Sequence, residues 1–170
     1  MKTFAKLCLI KLGLAIFLMN HAVPDEAYSQ ALVTQEQVVK LKNTVVEIKA
    51  EIDTIIAQAQ NPRLNNEDLN EDDALAIPRL LQASSNLFEA GTRADETLLE
   101  ILAGNFQLAF YRFSQACTAT GLARSQVSRA RFGALVPPAG FVSIFDAQFA
   151  NIIIELGLLR SPFPTGVGCP

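Results

Sequence analysis

The chain has 170 residues, half of them hydrophobic, with a formal net charge of −3 and a mean hydropathy of +0.25. Such apolar content excludes a disordered chain, whose sparse hydrophobes cannot offset the entropy of folding. The mild acidity, with no basic stripe interleaved with aromatics, excludes a nucleic-acid surface.

The first segment, MKTFAKLCLIKLGLAIFLMNHA, places Lys2, Lys6 and Lys11 before the uncharged run Leu12–Met19. A basic start followed by an apolar stretch too short to span a bilayer is the pattern of a secretory signal peptide. An uncleaved anchor and an ordinary amphipathic helix are the alternatives. Ala27 and Ser29 suit positions −3 and −1 of a cleavage site. Residues 1–29 therefore read as a signal cut between positions 22 and 30, and residues 30–170 as a single helical domain of a common domain size. The expected location is extracellular.

Val38, Leu41, Val45, Ile48, Ile52, Ile55 and Ala59 recur at spacings of three and four, with Lys40, Lys42, Glu47, Lys49, Glu51 and Asp53 between them. This pattern predicts a helix from about Leu32 to Gln60, stopped by Pro62. The repeat would suit an intermolecular coiled coil, but Val39, Val46 and Ile56 widen the stripe towards that of a helix on a globular core. Asn65–Asp73 reads as an acidic loop. It fails as an EF-hand in both registers: from Asp68 the glycine position holds Asp73, and from Asn66 it holds Glu71.

Next, AIPRLLQASSNLFEAG predicts a helix with Pro78 in its first turn and Gly91 just past its end. The alternative is an earlier start capped by Asp72 or Asp73, with Pro78 as an internal kink. Thr92 and Asp95 have the spacing of a capping box, predicting a new helix to about Thr120, with Gly121 after it. Leu98, Leu102, Phe106, Ala109, Phe113 and Ala116 form its stripe. GLARSQVSRARFG predicts a short polar helix carrying Arg124, Arg129 and Arg131, either a solvated face or a site for an anionic partner. Pro137, Pro138 and Gly140 then break the chain.

From Phe141 to Arg160 the only charges are Asp146, Glu155 and Arg160 itself. On a helix, Phe141, Phe145, Phe149, Ile152, Leu156 and Leu159 share one side, while Ile144, Ile153, Ile154 and Leu158 fall outside it. A helix apolar nearly all round belongs in the centre of a bundle or in lipid. A mid-span carboxylate costs about 3 kcal/mol, so Asp146 and Glu155 favour the bundle. The tail SPFPTGVGCP carries Cys169, which is expected to pair with Cys117 once Cys8 has left with the signal. No run alternates long enough to argue for a sheet. The expected fold is all-α: a bundle of four to five helices with a largely apolar C-terminal core helix and one disulfide.

The sole histidine, His21, lies at the end of the signal. Its loss removes Ser–His–Asp and Cys–His catalysis and His-ligated zinc or haem. Bridged cysteines leave no thiolate, and Asp146 and Glu155 point to opposite sides of one helix. No Gly-rich phosphate loop occurs. The protein therefore reads as non-enzymatic, with no cofactor, no metal and no stable membrane span after cleavage. Phe106, Phe110, Phe113, Phe141, Phe145 and Phe149 read as core, or as the lining of a cavity with Tyr111 or Arg112 at its mouth. Two partners follow: an extracellular protein bound at the surface, or a hydrophobic small molecule such as a fatty acid carried inside. A membrane-active role is a third reading.

Overall fold

The computed structural model describes residues 32–60, 71–132 and 141–170, and every regular element among them is helical. These are α1 (Gln35–Ala59), α2 (Glu71–Leu102), α3 (Phe106–Phe132), the single turn α4 (Phe141–Ile144) and α5 (Asp146–Leu159). The expected signal peptide, the loop through Asn70 and the Pro137–Gly140 break lie outside the described residues.

Helix α1 matches its sequence pattern most closely. Thr34 caps it: the Gln37 amide donates to the Thr34 hydroxyl (3.2 Å), and the Thr34 amide donates back to the Gln37 side chain (2.8 Å). This reciprocal box satisfies two otherwise orphaned donors. All seven residues of the three–four repeat are at most 2% exposed. Of the three that were expected to widen the stripe, only Ile56 is buried; Val39 and Val46 face solvent.

The middle of the chain is divided differently from the sequence reading. Pro78 and Gly91 both lie inside α2, which starts earlier, at Glu71, so Asp72 and Asp73 are within the helix and do not cap it. Thr92 begins no helix, and its hydroxyl donates to the Phe88 carbonyl within α2. The real break is Ala103–Asn105, where Gly104 adopts φ +77° and its amide donates to the Ile101 carbonyl. A left-handed residue of this kind ends helices and favours glycine. The stripe read across Leu102 and Phe106 does not exist, because both are more than half exposed. Gly121 does not end a helix either, and α3 runs on through the arginine segment to Phe132.

Once the boundaries are set, one rule describes the core. The seam residues of α2 are Ala76, Leu80, Ala83, Leu87, Ala90, Ala94 and Thr97, with Ser84 buried beside them; those of α3 are Ala109, Phe113, Ala116, Thr120, Ala123, Val127 and Ala130. Val142 and Phe145 lead into Phe149, Ile152, Leu156 and Leu159 of α5. Each series alternates steps of three and four, the repeat of helices packed side by side in a bundle. The α2 and α3 seams are largely alanine, which lets two backbones approach closely. Buried Thr97 and Thr120 return their hydroxyl protons to the carbonyls of Arg93 and Ala116.

Side-chain bonds give the direction of each neighbour. Lys42 meets Asp95 at 2.6 Å while Asp53, further along α1, accepts from Ser84, earlier in α2. Arg112 meets Glu96 at 3.3 Å, and Arg79 donates to the Arg129 carbonyl. Arg131 meets Asp146, and Arg124 donates to the Ile153 carbonyl at 3.1 Å. In every pair one number rises as the other falls, so successive long helices are antiparallel.

Helix α5 is not sheathed on all sides. It buries Phe149, Ile152, Leu156 and Leu159, whereas Ile154 and Leu158 are more than half exposed. Its principal neighbour is α3, with a lesser contact to α1. It thus closes one side of the bundle, and α2, flanked by α1 and α3, has the more central place. Apolar composition alone does not select the centre, since alanine seams fill it equally well.

Candidate functional site

The six phenylalanines do not gather round one space. Phe113, Phe145 and Phe149 belong to the packed core, at most 6% exposed. Phe110 is half-buried and Phe106 exposed, while the side chain of Phe141 lies outside the described residues. Tyr111 is exposed, and its hydroxyl accepts from Gln115 (3.1 Å). Arg112 is held in a surface network: it meets Glu96, donates to Gln115 (3.2 Å) and stands 6.0 Å from the Tyr111 ring centre. Glu96 also accepts from Arg93 at 2.8 Å. Arg112 therefore already has a carboxylate partner, which it shares with Arg93.

The expected pairing of Cys117 with Cys169 is present, with Cα atoms 5.6 Å apart. The tail it holds is bonded at several points. Gln37 of the α1 cap donates to the Val167 carbonyl (3.0 Å), and the Lys40 ammonium donates to the carbonyls of Pro164 (2.8 Å) and Thr165 (3.0 Å). Val167 is fully buried. Lys40, expected merely to face solvent, helps fasten the C-terminus.

The arginines of α3 divide by task. Cys117, Arg124 and Arg131 are spaced seven apart, on the side that faces α5 and the tail. Arg131 forks onto both carboxylate oxygens of Asp146 at 2.7 and 3.0 Å. Arg124 lies against Gly157 of α5, and Arg160 lies against Gly121 of α3; a Cβ on either glycine would stand 3.3 or 2.8 Å from a guanidinium atom. Each helix thus supplies a glycine that makes room for the other's arginine, which is why Gly121 sits within a helix.

The fork holds the Asp146 carboxyl below its ordinary range, outweighing the opposite effect of burial. A folded-state pKa below the unfolded value of about 3.9 gives stability that is complete above that value and lost as pH falls through the folded pKa. Asp146→Asn is expected to flatten the fall of melting temperature with acidification below about pH 4. An unchanged acid limb would mean that the fork contributes nothing. On α1, Glu51 shows the reverse: burial, and then the charge of Glu155 across from it, raise its carboxyl pKa.

Arg129 has a different setting. Arg79, Ser125, Ser128, Arg129 and Phe132 line an open depression of about 380 Å³ between α2 and α3. A second depression, of about 390 Å³, is lined by Glu89, Tyr111, Ser114, Gln115, Thr118, Ala119 and Leu122. The sequence singled out Arg129 but missed Arg79, because the two are fifty positions apart. Ser125, Ser128, Arg129 and Phe132 recur at helical spacing with no carboxylate anywhere in α3, which was the available signal.

Among the described residues no helix is long and apolar enough to cross a membrane, and no group of three or more His, Cys, Asp or Glu is placed to hold a metal ion. No protein family, curated protein or solved structure matches this chain.

Proposed function

We propose that the protein is a secreted, non-enzymatic helical bundle that binds an extracellular protein through the outer face of α1 and α2. The observation that carries this reading is an ordered row of exposed apolar side chains. Leu81, Phe88 and Leu102 share one heptad position of α2 and are 50, 67 and 76% exposed. Asp95, in the same row, reaches across to Lys42 of α1. On α1, Val39 and Val46 stand in the row of Asp53, which bonds Ser84 of α2. Two apolar rows therefore flank the α1–α2 seam on its outer side. Exposed apolar side chains gathered on one face mark interaction sites, and a lengthwise apolar face suits a helix or strand of a partner.

Secretion accords with the N-terminal pattern and with the Cys117–Cys169 bridge, a bond of oxidising compartments. Native mass spectrometry of the protein recovered from the medium tests the reading. The chain is expected to begin between Val23 and Gln30, to weigh two protons less than its reduced form, and to carry a protein-sized adduct that Phe88→Ser removes. Retained Met1 would overturn the compartment. An adduct of fatty-acid size, unchanged by Phe88→Ser, would replace surface recognition by the carrier function.

A further inference from the structure

The depression between α2 and α3 has a composition that neither packing nor the apolar face explains. It is lined by two arginines, Arg79 and Arg129, two serines, Ser125 and Ser128, and Phe132, which is 68% exposed. Among the described residues, no acidic side chain lines it. Of the other described arginines, Arg93 meets Glu89 and Glu96, Arg112 meets Glu96 and Arg131 meets Asp146, whereas Arg124 and Arg160 lie against glycines of the facing helix. Among the described residues, Arg79 and Arg129 meet no carboxylate.

We propose that this depression binds a small organic phosphate or sulfate ester. Arg79 is steadied by its bond to the Arg129 carbonyl, one of the last carbonyls of α3, which have no intrahelical donor. That bond uses one of five guanidinium donors, and the others remain for a ligand. The C-terminus of α3 opposes an anion with roughly half a negative charge. Two full positive charges outweigh it. Guanidinium groups match tetrahedral oxyanions with paired donors, and the serine hydroxyls add donors from the same helix face. Phe132 supplies an apolar wall for the group that carries the oxyanion. Its ring already holds the Arg131 guanidinium 4.8 Å from its centre, which restrains it.

This site is independent of the α1–α2 face, so failure of one leaves the other standing. The test is isothermal titration calorimetry of the full secreted chain in low-salt, phosphate-free buffer. The probes are phenyl phosphate, phenyl sulfate, inorganic phosphate and neutral benzyl alcohol. One equivalent of at least one ester is expected to bind, more tightly than inorganic phosphate, and benzyl alcohol to give no heat. Phenyl phosphate alone would assign the site to phosphate esters, phenyl sulfate alone to sulfate esters, and both to the shared oxyanion. Arg129→Gln keeps the carbonyl that Arg79 uses. It is expected to weaken ester binding about tenfold or more, the loss of one charge-assisted hydrogen bond, without altering the melting temperature. Phe132→Ser is expected to weaken the esters but not inorganic phosphate. Arg160→Gln, at the α3–α5 contact, should leave binding unchanged. The proposal is overturned by the absence of saturable ester binding at millimolar concentration. Equal weakening by Arg129→Gln and Arg160→Gln would also overturn it, because only the overall charge would then matter.

Discussion

Phe149→Ala is expected to lower the stability of the bundle by about 3–5 kcal/mol, the range for truncating a fully buried aromatic side chain. Phe149 is 0% exposed and lies in one core with Phe113, Phe145 and Ile152. Two terms add: the lost transfer of the ring from water, and the cavity left among neighbours that can only partly collapse. Neighbours anchored by α3, the Arg124–Gly157 contact and the disulfide have little freedom to follow. Lys49→Ala provides the contrast. Lys49 is partly exposed and makes one i, i+4 pair with Asp53 at 2.6 Å, so its loss should stay within about 0.5 kcal/mol. Urea denaturation with an unchanged m-value would measure both. Equal, small effects would show that α5 rests on the bundle without holding it together.

Removing the disulfide is the other large effect. Cys117 and Cys169 are 52 residues apart in sequence, and closing a loop of that length restrains the unfolded chain by about 4 kcal/mol in the chain-entropy model. Cys117→Ala combined with Cys169→Ala is expected to lose most of this. The double change avoids leaving one reactive thiol. The native tail should also loosen, because what remains are its bonds to Gln37, Lys40, Leu159 and Ser161. Limited proteolysis reads that loosening separately: cleavage after Arg160 should become fast in the variant and stay slow in the oxidised protein. A stability loss under about 1 kcal/mol would mean that the unfolded chain is already compact enough to gain little from the bridge.

How much was legible depended on the type of side chain in each seam. In α1 the buried positions are Val, Leu and Ile between charged residues, so their period stands out directly. The α2 and α3 seams are mostly Ala, broken only by Leu80, Leu87, Phe113, Val127 and two Thr, and alanine looks alike at buried and exposed positions. With that signal weak, local punctuation dominates, and Gly91, Thr92 and Gly121 read as boundaries. Only Gly121 has a tertiary explanation. Thr92 bonds within its own helix, and a Cβ at Gly91 would stand 3.9 Å from the Val45 side chain, an ordinary contact that does not require glycine. Gly121 makes room for Arg160. The true boundary, Gly104, carries the same letter and differs only in its backbone angle.

The candidate site shows the same division. The bridge was readable because, with Cys8 assigned to the expected signal, two cysteines remain and have one way to pair. The phenylalanines were readable as apolar but not as to place: Phe113 and Phe149 are buried, whereas Phe88, Phe106 and Phe132 are exposed. The depression with Arg79 and Arg129 was invisible, since its parts come from two helices. By itself the sequence determined the helical class, the course of α1, the apolar side of α5 and the cysteine pair, because these rest on local periodicity and on chemistry with a single outcome. Tertiary structure alone decided which glycines interrupt a helix, which helix lies centrally, which arginines are neutralised and which aromatics face solvent. Those outcomes depend on what lies across the seam, and free energies of packing and ion pairing belong to pairs of residues far apart in the chain.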